Sequence, residues 1–164
     1  MYSWMVYLHV LATMTFLFTH GASSIVAWRL RGRPDPATAR AWLGVYATGR
    51  YFTLLYSSLI VLLISGVAAG FMGDWWGEGW IWLSLALLVG IIVGMYVLGS
   101  AYYSKLRRAL GLEYFDGRKP HPAEEPAPAE EIERLLARSP ALALTVIGFG
   151  GIAMILWLMI LKPF

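Results

Sequence analysis

Cysteine is missing from all 164 residues. Its absence excludes disulfides, iron–sulfur clusters, thiolate zinc sites and cysteine nucleophiles, and it leaves the redox compartment undetermined. Charge is scarce as well, with 14 % of residues charged against 59 % hydrophobic. A water-soluble domain of this length needs far more polar surface to cover its core, so lipid is the solvent for most of the chain. No Asp, Glu, Lys or Arg lies in the middle of an apolar run. That speaks against a carboxylate proton relay, an intramembrane aspartyl protease and an ion-coupled transporter. There is no Walker loop, no glycine-rich dinucleotide fingerprint after a strand, and no nucleophile elbow. The net charge of +3 follows membrane topology rather than a basic face, so no nucleic-acid partner is expected. No internal repeat is visible.

What is present is four apolar runs, Tyr2–Trp28, Tyr51–Met72, Trp80–Tyr103 and Ala141–Leu161. Each has about the 20 residues needed to cross ~30 Å of hydrocarbon. The expected fold is therefore an all-α membrane protein, a single domain over residues 1–164 with four transmembrane helices in an antiparallel bundle. The expected location is the cell membrane, as a multi-pass protein. Residues 1–28 read as a retained helix rather than a cleaved signal. Trp4, Trp28, Tyr51, Trp75, Trp76, Trp80, Trp82, Tyr102 and Tyr103 mark the ends of the runs as an interfacial aromatic belt. Of thirteen basic residues, twelve fall in the first and last loops and only Lys162 falls opposite. The positive-inside rule places both loops in the cytoplasm and both termini on the non-cytoplasmic side.

In the first loop, Asp35-Pro36 reads as an N-cap followed by proline at the first helical position, which predicts a short cytoplasmic helix leading to span 2. Ser139-Pro140 repeats that signal before span 4. Within the last loop, 111–138, the stretch Lys119–Ala129 is rich in proline, alanine and glutamate, and is expected to be extended or mobile. Glu130–Arg138 can add one or two helical turns. Gly66 and Gly70, Gly90 and Gly94, and the group Gly148, Gly150 and Gly151 allow close helix approach or room for a flat cofactor.

His9 and His20 are the only ionisable side chains inside the apolar runs, apart from tyrosines. Eleven residues at ~100° each make three turns plus ~20°, so both lie on one strip of one helix, ~16 Å apart in depth. An intramembrane histidine is a functional-site candidate, and imidazole is a haem and metal ligand. The two cannot clamp one haem between them, so each would serve its own centre. Arg29 and Arg50 flank the inner interface, where they could pair with the propionates of a b-type haem at His20. Met1, Met5 and His9 recur at i, i+4 and i+8, a soft-ligand face suited to copper. In a purely structural alternative the histidines hydrogen-bond across the bundle to Ser57, Ser58, Ser65 or Thr13. His121, between two prolines, reads as solvated.

Several short motifs carry a family likeness. They are Tyr7-Leu8-His9-Val10-Leu11-Ala12, Trp28-Arg29-Leu30-Arg31, Thr48-Gly49-Arg50, Ile64-Ser65-Gly66 and Gly79-Trp80-Ile81-Trp82-Leu83. Together they resemble the copper-resistance D superfamily of small membrane proteins, particularly its four-helix integral-membrane branch of unknown function. The resemblance implies a four-helix unit and, in some members, copper uptake. His9 also matches the first-helix histidine associated with haem in the membrane-bound protoporphyrinogen oxidase family. No counterpart of that family's further active-site residues is found here, so its activity is not carried over.

The leading expectation is a small membrane subunit, non-catalytic by itself, that binds b-type haem through a first-helix histidine. It would serve electron transfer or assembly in a larger complex. Copper handling and a helical packing subunit are the alternatives. Because one helix carries both histidines, the second haem ligand is expected to be a methionine, a water, or a residue of a homodimer mate or another membrane subunit, with a second protein surface completing the pocket. The expected contact is a span 1 strip containing Thr13, Phe16, His20 and Ser24.

Overall fold

The computed structural model describes the backbone of residues 1–46 and 49–164 and the side chains of residues 1–44 and 51–164. Four helices are long and apolar enough to cross a membrane. The first is α1, Tyr2–Arg31. After the loop helix α2, Pro36–Tyr46, comes the second crossing helix, α3, Gly49–Met72. A 3₁₀ turn at Trp75–Gly77 leads into the third. That helix consists of α4, Gly79–Met95, a π-helical turn at Tyr96–Ser100, and α5, Ala101–Ala109. The fourth consists of α7, Ala141–Thr145, a π-helical turn at Val146–Gly150, and α8, Gly151–Leu161. Before it, α6 spans Ala129–Ala137.

The 30 residues of α1 make about 45 Å of helix, longer than ~30 Å of hydrocarbon. The excess is used at the basic end. There Val26 and Leu30 of α1 join Leu43 of α2, Leu106 of α5, and Ile132 and Leu136 of α6 in a compact apolar cluster. The third crossing helix, Gly79–Ala109, overshoots in the same way and delivers Leu106 and Ala109 to that cluster. The cluster is a small core of the water-soluble kind, capping one end of the bundle. Arginines stitch it to backbone: Arg40 Nε donates to Leu110 O at 2.6 Å, and Arg107 donates to Glu113 O at 2.6 Å and Leu43 O at 3.2 Å.

The loop signals are realised unevenly. Asp35 caps α2, accepting from the amides of Ala37 and Thr38 at 3.0 and 3.1 Å and from the Thr38 hydroxyl at 2.7 Å. These donors hold its carboxyl below the ordinary range. Ser139 caps nothing: α7 starts directly after Pro140 with no side-chain cap. The last loop opens on a short hairpin pairing Tyr114 with His121 and Phe115 with Pro120, whose second strand belongs to the segment expected to be extended or mobile. Beyond the hairpin it runs without helix to Pro128, and the Ala127 amide ties it down by donating to Ala109 O at 2.9 Å. Glu124 adds a second tie, accepting from Arg108 at 2.9 Å and from the Tyr114 hydroxyl at 2.6 Å.

Within the bundle α1 lies along α3, and α4 lies along α8. The α1–α3 seam is lined by small residues, with Ser58, Ser65 and Ala69 all buried. Contacts along it pair Tyr2 with Trp75, His9 with Leu62, and Thr19 with Tyr51.

Candidate functional site: two histidine niches

Both histidines sit opposite a glycine, on different helices. The His9 ring lies over Gly66 of α3, where a Cβ would stand 2.9 Å from its Cε1. Only glycine leaves that space. The ring's Nδ1 is 2.9 Å from the carbonyl oxygen of Leu62. A carbonyl oxygen only accepts, so Nδ1 is the donor of this contact, and in that tautomer Nε2 is the acceptor nitrogen. Ser65 Oγ is 3.5 Å from the same nitrogen and spends its own proton on Val61 O at 2.6 Å. The His9 carbonyl is engaged by Thr13 Oγ1 at 2.7 Å, one turn on. His9 is half-buried, and Nε2 has no hydrogen-bond partner among the described residues.

His20 is 8 % exposed. Its Nε2 lies against Gly148, 2.5 Å from where a Cβ would stand, inside the π-helical turn of the fourth crossing helix. Phe16, one turn earlier, stacks on the ring at 5.7 Å with planes 5° apart, and Phe149 covers it from the facing helix at 5.4 Å. Among the described residues neither ring nitrogen is hydrogen-bonded. Polar groups engage its backbone instead: Ser23 Oγ donates to His20 O at 2.7 Å and the Tyr51 hydroxyl donates to Thr19 O at 2.6 Å. Two turns further along α1, Trp28 Nε1 donates to Thr145 Oγ1 of the fourth crossing helix at 2.9 Å.

The structure therefore keeps both histidines on one strip but gives each its own neighbour. It does not gather the other expected ligands around them. Arg29 is nine residues after His20, ~900° of helix rotation, which points it to the opposite side. Its guanidinium lies over the Trp42 ring of α2, 5.6 Å from the centroid. The Arg50 side chain lies outside the described residues. Met1 is 92 % exposed, Met5 is half-buried one turn before His9, and no sulfur is hydrogen-bonded to His9. Among the described residues no three histidine, aspartate or glutamate side chains gather where they could hold one metal ion. Ser57 and Ser58 bond to carbonyls of their own helix, Leu54 and Leu55.

The strip expected to face a partner turns inward. His20 is buried against the chain's own Gly148 and Phe149, and Thr13, Phe16 and Ser24 are only partly exposed. The helix looks outward instead through Tyr7, Leu11, Met14, Phe18 and Ile25. In lipid both faces of a helix are apolar, so hydrophobicity does not mark which one packs. Leu62, Gly148 and Phe149 are the site residues that sequence reasoning missed as contacts. The small residues at 66 and 148 were the available signal, since each marks where a ring enters.

The third histidine, His121, is not merely solvated. Its Nε2 is 2.8 Å from Asp116 Oδ2, and its ring stacks on Tyr114 at 4.8 Å. Asp116 also accepts the amides of Arg118 and Lys119, and these donors hold its carboxyl well below the usual carboxylate range.

Compared with protein-family models, curated proteins and solved structures, the chain finds no match in any of the three. The likeness to the copper-resistance D superfamily rests on the short motifs alone.

Proposed function

We propose that this chain is a small multi-pass membrane subunit that binds b-type haem through His9 Nε2 and serves electron transfer within a larger complex. The observation that carries the reading is the hydrogen bond from His9 Nδ1 to Leu62 O. Metal-ligating histidines typically donate their second nitrogen to a carbonyl or carboxylate, which fixes the tautomer and ring orientation and raises the basicity of the ligating nitrogen. His9 has that arrangement; His20, with no acceptor for either nitrogen among the described residues, does not. A haem held there would supply one-electron chemistry. His20 stands ~16 Å further along the helix, so it would not share a group held at His9, and a further ligand would be a methionine, a water, or a side chain of a homodimer mate or partner subunit. In this reading the four helices run antiparallel with both termini on the non-cytoplasmic side, which places His9 in the outer half of the membrane. The pairing of Tyr2, His9 and Thr19 of α1 with Trp75 just beyond α3 and with Leu62 and Tyr51 of α3 supports an antiparallel run of these two helices.

Copper handling is the second reading, favoured by Met5 lying one turn before His9 on an unbroken helix. One preparation separates the two. Protein purified from its native membrane in mild detergent should show a Soret band and a dithionite-reduced difference spectrum. His9→Ala should abolish both and His20→Ala should leave both in place. The absence of a Soret band from wild-type protein overturns the haem reading, and bound copper without haem installs the copper reading.

A further inference from the structure

The hairpin of the last loop is laid back along the third crossing helix rather than standing away from it. Glu113 O accepts from Arg107 Nε at 2.6 Å, and Phe115 O accepts from Ser104 Oγ at 2.6 Å. At the tip, Gly117 lies beside the Tyr96 hydroxyl, which stands 3.3 Å from where a Cβ would be. As the loop numbers rise from 113 to 117, the helix numbers fall from 107 to 96, so the hairpin descends toward the apolar part of the helix. Gly117, at φ +94, supplies the left-handed residue that lets the tip close, with the Asp116 amide donating to Lys119 O at 3.3 Å.

Helix geometry gives the depth. Sixteen residues separate Tyr96 from Trp80, in the aromatic cluster at the far end. They rise ~24 Å, short of the ~30 Å of hydrocarbon. Ser104 is eight residues further on, another ~12 Å, which carries it into the headgroup layer. The tip hangs between these two levels, at the boundary of acyl chains and headgroups. The side it covers faces lipid: Tyr96, Val93 and Val89 share one face of the helix, and all three are exposed.

The hairpin sorts its side chains accordingly. Alternation along the first strand turns Tyr114 inward, its ring on His121 and its hydroxyl on Glu124. Phe115 turns outward and is 52 % exposed. Asp116, the one carboxylate between Tyr114 and His121, is occupied by His121 and by the amides of Arg118 and Lys119. Glu124, the nearest acid beyond, is tied to Arg108. The side chains of Arg118 and Lys119 are exposed, and neither makes an ion pair or hydrogen bond among the described residues.

We infer that this hairpin is a lipid anchor, with Phe115 entering the acyl boundary and Arg118 and Lys119 pairing with the phosphates of anionic phospholipids. An aromatic ring with a basic flank suits that boundary, where apolar burial and attraction to negative headgroups act together. Nothing in the inference depends on the haem reading, since no residue of the His9 niche takes part.

The test uses the cysteine-free full-length chain. Phe115→Cys, labelled in detergent with a small apolar fluorophore, is reconstituted into phosphatidylcholine vesicles with or without phosphatidylglycerol. The label should be quenched strongly by a phospholipid carrying a nitroxide near its headgroup and weakly by aqueous acrylamide, and the lipid quenching should increase with phosphatidylglycerol. Adding Arg118→Gln and Lys119→Gln should abolish that increase. Pro120→Cys, exposed and paired with Phe115 across the hairpin, repeats the measurement with the phenyl ring in place and decides if the two positions disagree. A label quenched by acrylamide and not by nitroxide lipid overturns the anchor. Lipid quenching that is the same with and without phosphatidylglycerol overturns the pairing with anionic headgroups.

Discussion

His9 and His20 leave one helix on one strip, yet their surroundings differ in what decides the use of an imidazole. His9 meets a helix whose backbone offers an oxygen, Leu62 O at 2.9 Å. It thereby commits one nitrogen and frees the other. His20 meets a π-helical turn and two phenyl rings, and commits neither among the described residues. In both cases a glycine makes the approach possible. The difference shows that in an apolar bundle the chemistry of a histidine is set by the opposing backbone. The residue's own position on the helix fixes only which way it looks.

The sharpest way to break this comparison is to reverse the membrane. With twelve basic residues on one side, both termini are expected outside. Cysteines placed singly at Ser3 and Ala123, both exposed, should react with an impermeant thiol reagent from opposite sides of sealed vesicles. The effect is all-or-none. Labelling of both from outside exchanges the leaflets of His9 and His20 and removes the outer-half placement of the proposed site.

Steric load on the two cradles comes next. A methyl at Gly148 meets His20 Nε2 at 2.5 Å, whereas one at Gly66 meets His9 at 2.9 Å. The His20 ring is also walled by two phenyl rings, so it has less freedom to yield. Gly148→Ala should cost ~2–3 kcal/mol, within the range for overpacked interiors, and Gly66→Ala less, as read by reversible unfolding in detergent. Adding His20→Ala to Gly148→Ala should recover most of the loss, because the two residues are in direct contact. Equal costs at the two glycines, or no recovery, would show that the cradles do not differ as described.

Much of the scaffold is legible from residues alone, and for a physical reason: a 20-residue apolar run in a cysteine-free, charge-poor chain has few other uses. The shared strip of His9 and His20 follows from helix arithmetic, and the capped start of α2 from Asp35-Pro36. The identity of the helix facing each histidine is not legible. Lipid and protein interior are equally apolar, so the sequence of α1 carries no inside–outside contrast. That is why the strip through Phe16 and His20 could be taken for an outer face. The tie of the Pro/Ala/Glu segment is hidden for another reason: it uses the Ala127 amide and the Arg108–Glu124–Tyr114 set, which composition does not report. In α6, Ile132 and Leu136 four residues apart do announce a buried face.

A gentler comparison replaces each imidazole by leucine, close to it in volume. At position 9 this removes the hydrogen bond to Leu62 O and should destabilise by ~1 kcal/mol, as for interhelical hydrogen bonds in other membrane proteins. At position 20 no bond to a described residue is lost, and replacing a polar ring without such a bond by an apolar side chain should be neutral to within ~0.5 kcal/mol or stabilising. Equal destabilisation at both sites would mean that His20 has a polar partner of comparable strength.

The smallest effect concerns the histidine in water. His121 and the amides of Arg118 and Lys119 all converge on Asp116. Their bonds favour the ionised carboxylate, so its folded value lies below the ordinary 3.8. The sign follows directly. A carboxyl depressed on folding contributes its stabilisation above its unfolded value, and that contribution is lost as pH falls through the folded one. The hairpin at Tyr114–His121 should therefore stay closed above about pH 4 and loosen below it. Amide exchange at Arg118 and Lys119 reads this locally, while the bundle carrying His9 and His20 is left unaffected. Asp116→Asn should raise exchange at those amides already at neutral pH, because a neutral amide oxygen accepts more weakly than a carboxylate. Unchanged exchange in that variant would show that the turn, rather than the charge, holds the hairpin.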